Sequence, residues 1–251
     1  MAGPGFSPGF WRRIELHPAQ GAIVAGLEDD VHRFLVRLEH RDGIIVGAVA
    51  KAERFPWSTC ADAAPFLAEQ LVGKSWQALA ELDAHSHCTH LFDLAVLCAA
   101  HADDAGPVRF DMRVADRIEG RTNATLFEND VAVVQWQLNG TLIEGPAQWA
   151  GLDMRKLSVW KRDLTPAQAR YAMLLRRAVY VSGARAHADR MVGRAADRGP
   201  DRMGACFTYQ MPRALDAEAS RNPLNDFSAA DTGPLQGFDP KALQPEDRAN
   251  S

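Results

Sequence analysis

The sequence predicts an α+β fold, and two observations carry that prediction. Apolar residues recur at helical spacing in short segments between residues 61 and 101, while the flanking segments are strand-like, with apolar–polar alternation clearest after residue 107. Strand-like runs also meet at Asp42-Gly43 and at Asn139-Gly140, dipeptides that favour the tight turns of β-hairpins. The order is strands, short helices, strands, one long helix and a tail, not alternating β-α-β. The expected architecture is a small antiparallel sheet with helices on one face. A second β-hairpin region and a long C-terminal helix extend it.

The elements follow in order. Residues 1–10 are rich in Gly and Pro and read as a flexible arm. Trp11 to Leu16 reads as a short strand, and Val31 to Leu38 and Ile44 to Ala50 form the first hairpin. Ala61 to Val72 places Ala64, Leu67, Ala68 and Leu71 on one helical face, with Ser58 or Thr59 as cap and Gly73 as stop. Ser75 to Leu82 reads as a second, short helix. Cys88 to His101 reads as a third, with Leu91, Leu94, Ala95 and Cys98 in register.

After Gly106-Pro107, Val108, Phe110, Met112 and Val114 alternate with Arg109, Asp111 and Arg113, as a strand with one wet face does. Val131 to Leu138 and Thr141 to Ile143 form the second hairpin. Thr165-Pro166 opens a helix, with Thr165 as N-cap and Pro166 at its first position, running to about Val192. From Pro212 the chain is poor in aliphatics. Residues 11–211 thus read as a single α+β domain, made of parts 28–102 and 108–192. Residues 212–251 read as a wrapping or disordered tail.

Composition narrows the function. The chain has 251 residues, 47% hydrophobic and 24% charged, with net charge −4. These are ordinary globular values and supply a real core. No basic stripe with interleaved aromatics suggests nucleic acid. No apolar run reaches the roughly 18–20 residues of a membrane helix, and the first residues do not pattern as a signal peptide. A cytoplasmic location is expected, in which Cys60, Cys88, Cys98 and Cys206 stay reduced.

One cluster carries chemistry. His85, His87, Cys88 and His90 fall within six residues at a loop-to-helix junction, and Cys60 opens a helix. A helix N-terminus favours a thiolate, Cys and His are common zinc ligands, and His is the usual general base near neutral pH. Cys98 and Cys206 read as core. The sequence holds Trp57, Trp76, Trp136, Trp149 and Trp160 beside Trp11. Trp57, three residues before Cys60, is the best candidate to line a ligand pocket. Arg109 and Arg113 lie on a wet strand face, where Arg109 is a candidate anion contact.

Residues 28–102 are similar to the U-type iron–sulfur cluster scaffold proteins. The matching features are Glu28-Asp29-Asp30 before a strand, the turn Asp42-Gly43, Cys60 opening a helix, Gly73-Lys74, and His87-Cys88 opening the last helix. Glu28 stands where those scaffolds carry their first cysteine. The resemblance implies a scaffold-like fold and a pocket where Asp30, Cys60, His87 and Cys88 converge, able to hold zinc. A second resemblance runs from about Trp11 to Phe227, carried by Cys60, Gly73-Lys74, Cys88-Thr89-His90-Leu91 and Ala205-Cys206-Phe207-Thr208-Tyr209. It is to an uncharacterised bacterial domain-of-unknown-function family (number 2889). Members of that family occur in proteobacteria, often near genes for aromatic or acyl-CoA catabolism.

The expected function is a carbon–carbon lyase of aromatic catabolism. It would release formaldehyde or carbon dioxide from a lignin-derived phenolic by general base catalysis, with no cofactor required. His90 is the expected base, Asp30 orients it, and Cys60 is an acid or pocket wall. Trp57, Cys88 and Arg109 are the expected substrate contacts. Two rivals are a thioesterase-like hydrolase with a Cys60 or Cys88 nucleophile, and a non-enzymatic metal- or iron–sulfur-binding accessory protein. If zinc is bound, its expected ligands are Cys60, Cys88, His87 and Asp30. The expected partners are a small aromatic substrate and, as an allowed assembly, a second copy in a homodimer, with no nucleic acid and no membrane.

Overall fold

The computed structural model describes residues 8–186, 192–198, 202–220, 224–228 and 232–244. Eight antiparallel strands form one sheet: β1 (Gly9–Ala19), β2 (Ala22–Glu28), β3 (Arg33–Arg41), β4 (Ile44–Arg54), β5 (Val108–Ala115), β6 (Arg121–Glu128), β7 (Val131–Asn139) and β8 (Leu142–Gly145). Their order is β4-β3-β2-β1-β5-β6-β7-β8. Each half is a four-stranded meander, and β1 against β5 joins the halves at the centre. Helices α1 (Ala63–Leu71) and α2 (Thr89–His101) follow the first meander, and α3 (Leu157–Trp160) and α4 (Pro166–Ser182) follow the second. The chain therefore runs through four strands and then helices twice.

The strand period decides what each face meets. From β1, Phe10, Ile14 and Leu16 point to the helix side, as do Phe34, Val36 and Leu38 from β3 and Phe110, Met112 and Val114 from β5. There they pack on Leu91, Leu94 and Cys98 of α2 and on Leu174, Leu175 and Ala178 of α4. Every residue of β2 is buried, because the opposite face is also covered. Leu243 packs there on Val24 and Leu35, with Val49 and Phe238 alongside. A Cβ on Gly26 would lie 3.1 Å from the Phe238 ring, so glycine admits that close approach.

Several expectations need correction. The sheet is not small: β2 and β6 escaped the sequence reading, and eight strands pair continuously. β2 reads Ala-Ile-Val-Ala-Gly-Leu-Glu, an apolar run without alternation because both of its faces are buried. Gly9 and Phe10 of the expected arm belong to β1, and residues 1–7 lie outside the described residues. The third helix of the sequence reading is α2, and Thr165 caps α4 through a reciprocal capping box with Gln168. Helix α4 ends at Ser182, ten residues before the expected Val192. Of the tail, Leu235, Phe238 and Leu243 lie against the sheet, where the Leu235 N–H donates to buried Glu28 at 2.6 Å, while Ala214, Ala217 and Ala219 pack with Trp57 and Cys60. No helix among the described residues is long and apolar enough to cross a membrane.

Candidate active site

The site lies at one end of the sheet, where the β2–β3 turn, the start of α2 and the end of α4 meet. Arg177 of α4 binds Asp93 of α2 at 2.9 Å and ties the two helices together there. A cavity of about 600 Å³ opens between them, walled by Val31, His32 and Phe34, by Trp57 and Cys60, by Cys88 and His90, and by Arg177 and Tyr180. The segment from Arg202 to Tyr209 closes its far side.

Asp29 anchors the β2–β3 turn. Its Oδ1 accepts the Val31 and His32 N–H groups, both at 2.8 Å, as an aspartate does when it closes a turn on its own backbone. Its Oδ2 accepts from Arg12 Nε at 2.9 Å and Nη2 at 2.6 Å. Arg12 itself is only 1% exposed, on the core face of β1. Burial alone would raise the Asp29 carboxyl, but His32 and Arg12 outweigh it and hold the group well below the usual carboxylate range.

His32 stands next in line, its Nδ1 3.0 Å from Asp29 Oδ1. An ionised carboxylate only accepts, so Nδ1 carries the hydrogen in this contact, and it is Nε2 that would be the acceptor of the neutral ring. The His32 ring stacks on His90, with centroids 4.1 Å apart and an interplanar angle of 31°. Phe34 flanks His90 in turn, 5.8 Å away. His90 Nδ1 lies 4.0 Å from Cys88 Sγ, and its Nε2 is buried with no hydrogen-bond partner among the described residues. Burial first, and then the neighbouring His32 and the Arg12 guanidinium, push the His90 pKa well below its ordinary value. His90 is a neutral imidazole.

The thiols are protonated. Burial pushes Cys60 up to about 11, with its Sγ 3.4 Å from Thr208 Oγ1, and raises Cys88 further still. Neither has the lowered pKa that marks a nucleophilic cysteine.

The structure therefore brings together four of the expected residues: Trp57, Cys60, Cys88 and His90 all line the cavity. Three do not join them. Asp30 turns away to Arg185, which also holds Asp116 and Asp226 at 3.2 Å, so Asp30 is not the residue behind His90. Burial raises the Asp30 carboxyl to about 6 against the pull of Arg185. His87 is buried between Phe66 and Phe92, at 5.3 Å from each ring, and is not part of the wall. Arg109 is spent on Asp111 and Asp130 and lies outside the cavity lining.

The expected zinc ligands do not converge. Among the described residues, the donors that do are Asp29, His32 and His90, all within 4.8 Å of one another. Those three could serve as metal ligands, but both Asp29 oxygens already accept from Arg12, His32 and two backbone N–H groups. The tryptophans divide as well. Trp57 meets Tyr209 edge-on at 5.6 Å in the cavity wall. Trp136, Trp149 and Trp160 instead form a mutual edge-to-face cluster in the core of the second half.

Sequence reasoning missed Arg12, Asp29, His32, Arg177, Arg202 and Tyr209. Asp29 and His32 had a readable signal, since Asp three residues before His across a tight turn between two strands is a turn-closing aspartate. Without β2 the turn was not recognised. Comparison with protein-family models and with curated proteins gives no match.

Proposed function

We propose that the protein is a small-molecule lyase that cleaves a carbon–carbon bond of an aromatic substrate by proton transfer. The observation that carries this reading is the Arg12–Asp29–His32 relay, stacked on a neutral His90 at the wall of a largely apolar cavity. Asp29 fixes the tautomer of His32, leaving Nε2 as base, as a carboxylate does behind a catalytic imidazole. His32 Nε2 takes the proton of a hydroxymethyl group. The oxygen electrons form the C=O of formaldehyde, and the carbon–carbon bond breaks. Its electron pair is delocalised over the aromatic ring, and the proton returns to that carbon. Loss of carbon dioxide from a carboxylate needs no base: the same carbon electron pair forms as the bond breaks, and it takes its proton from an imidazole that already carries one or from water. His90 acts as the second imidazole of the proton-transfer pair, in place of the sole base expected from the sequence. Resemblance to family 2889, with its aromatic-catabolism neighbours, adds weight to an aromatic substrate.

A metal-assisted version has one observation in its favour, the closeness of the Asp29, His32 and His90 donors. Elemental analysis of protein purified without added metal separates the two versions. The Cys-nucleophile hydrolase gains no support from thiols that burial keeps protonated.

The test is release of formaldehyde or carbon dioxide from a panel of phenolics bearing hydroxymethyl or carboxyl groups. Activity in the wild type that falls by about 10²–10⁴ in both His32→Gln and His90→Gln supports the reading. No release from any member of the panel, or activity intact in both variants, overturns it.

A further inference from the structure

Charge is distributed unevenly around the cavity. Arg177 and Arg202 line it, and no aspartate or glutamate does among the described residues. Arg177 is answered by Asp93, and Arg12 behind the wall is answered by Asp29. Arg202 has no carboxylate partner among the described residues and stands beside the Tyr209 hydroxyl, whose pKa burial raises and Arg202 pulls back down. The rest of the wall is aromatic or apolar, with Phe34, Trp57, Phe207 and Tyr209 supplying ring faces and edges.

Two guanidinium groups in the wall, with no carboxylate there among the described residues, make the interior more favourable to an anion than to a cation. A guanidinium fork beside a phenol offers several donors and no competing acceptor charge, which matches the two oxygens of a carboxylate. A phosphate dianion would leave one charge unmatched in a mostly apolar space. At about 600 Å³ the cavity sits within the usual range for ligand pockets, roughly 300–1,000 Å³.

We propose that the ligand is an aromatic carboxylate whose anionic group seats between the Arg202 guanidinium and the Tyr209 hydroxyl, with its ring system against Trp57 and Phe207. This names the substrate class of the site described above. It rests on the small-molecule reading of the cavity and not on the lyase step.

The test is calorimetric titration of the full chain at pH 7.5 with 4-biphenylcarboxylate and with its neutral near-isostere, 4-biphenylcarboxamide. Wild-type protein is expected to bind the carboxylate at least about tenfold more tightly than the amide, as a charge-assisted contact allows. In Arg202→Gln that preference is expected to vanish while affinity for the amide holds. Arg202→Lys is expected to keep part of it. Arg202 is exposed, so these variants should melt like the wild type, and a melting curve checks this. Equal affinities in the wild type, no binding of either probe, or a preference that survives in Arg202→Gln overturns the proposal. Turnover does not enter the readout. Carboxylate-selective binding by a protein that releases neither formaldehyde nor carbon dioxide would remove the lyase and keep this subsite. Lyase activity without that selectivity would do the reverse.

Discussion

The imidazole of His32 lies 4.1 Å, centroid to centroid, from that of His90, and only His32 has a carboxylate behind it. Two histidines in contact thus have different electrostatic surroundings. Asp29 faces one, while burial and positive charge surround the other.

Asp29→Ala should be among the most destabilising single changes in the chain. It removes the only carboxylate bound to buried Arg12 among the described residues and also unties the β2–β3 turn. Breaking one side of a buried ion pair costs about 3–5 kcal/mol. Chemical denaturation should show a loss of that size, and a loss under about 1 kcal/mol, the scale of an exposed pair, would contradict the pairing.

His90 should make stability depend on pH. Its pKa is lowered by folding, so below the ordinary histidine value the unfolded chain binds a proton that the folded chain does not. Stability should therefore fall as pH drops below about 6.5 and be level, as far as this group goes, above it. The slope contributed by one such proton is at most about 1.4 kcal/mol per pH unit. Denaturation midpoints of wild type and His90→Gln between pH 5 and 7.5 should converge toward acid. Parallel curves would mean that His90 titrates normally.

All four thiols should react slowly in the native protein. Burial raises Cys60, Cys88, Cys98 and Cys206 alike, so little thiolate is present at pH 8. Labelling with a chromogenic disulfide should be slow until denaturant is added, and should then account for four thiols. A thiol that labels within seconds in the native state would revive the nucleophile reading.

Gly26→Val should loosen the tail without unfolding the sheet. The new side chain meets the Phe238 ring at 3.1 Å and the Leu235 side chain at 3.2 Å. Overpacking of this kind costs about 1–3 kcal/mol. Because Phe238 is carried on a surface-wrapping segment, cleavage by protease within residues 232–244 should speed up before the melting temperature falls far. Unchanged cleavage would show that the tail does not depend on this contact.

The fold was legible where one face of an element is wet. β5 declared itself through Val108, Phe110, Met112 and Val114, and α4 through Thr165 and Pro166. It was illegible at β2, where both faces are dry and alternation vanishes, and at β6, whose Arg121, Thr122 and Asn123 open the strand without an apolar signal. The site was half legible for the same reason. Trp57, Cys60, Cys88 and His90 lie close to helix starts that periodicity marks. Asp29 and His32 belong to a turn that exists only once β2 is known. Choosing Asp30 over Asp29 is the error of one position that such a turn produces, since neighbouring side chains leave it in different directions. Arg202 and Tyr209 reach the cavity from more than a hundred residues away, which no local pattern reports.

The seam between the two meanders sets a schedule for the chain. Trp11 donates to Asp111 at 2.6 Å across 100 residues of sequence, and Arg13 reaches the same carboxylate across 98. As the polypeptide leaves the ribosome, β1 can zip onto β2 at once, yet its other edge stays unpaired until β5 emerges. During that interval the nascent first half displays an open strand edge, the kind of surface to which other chains add. Interruption of synthesis between the two halves should therefore leave a product prone to self-association, and chaperone demand should peak before residue 115 emerges from the ribosome.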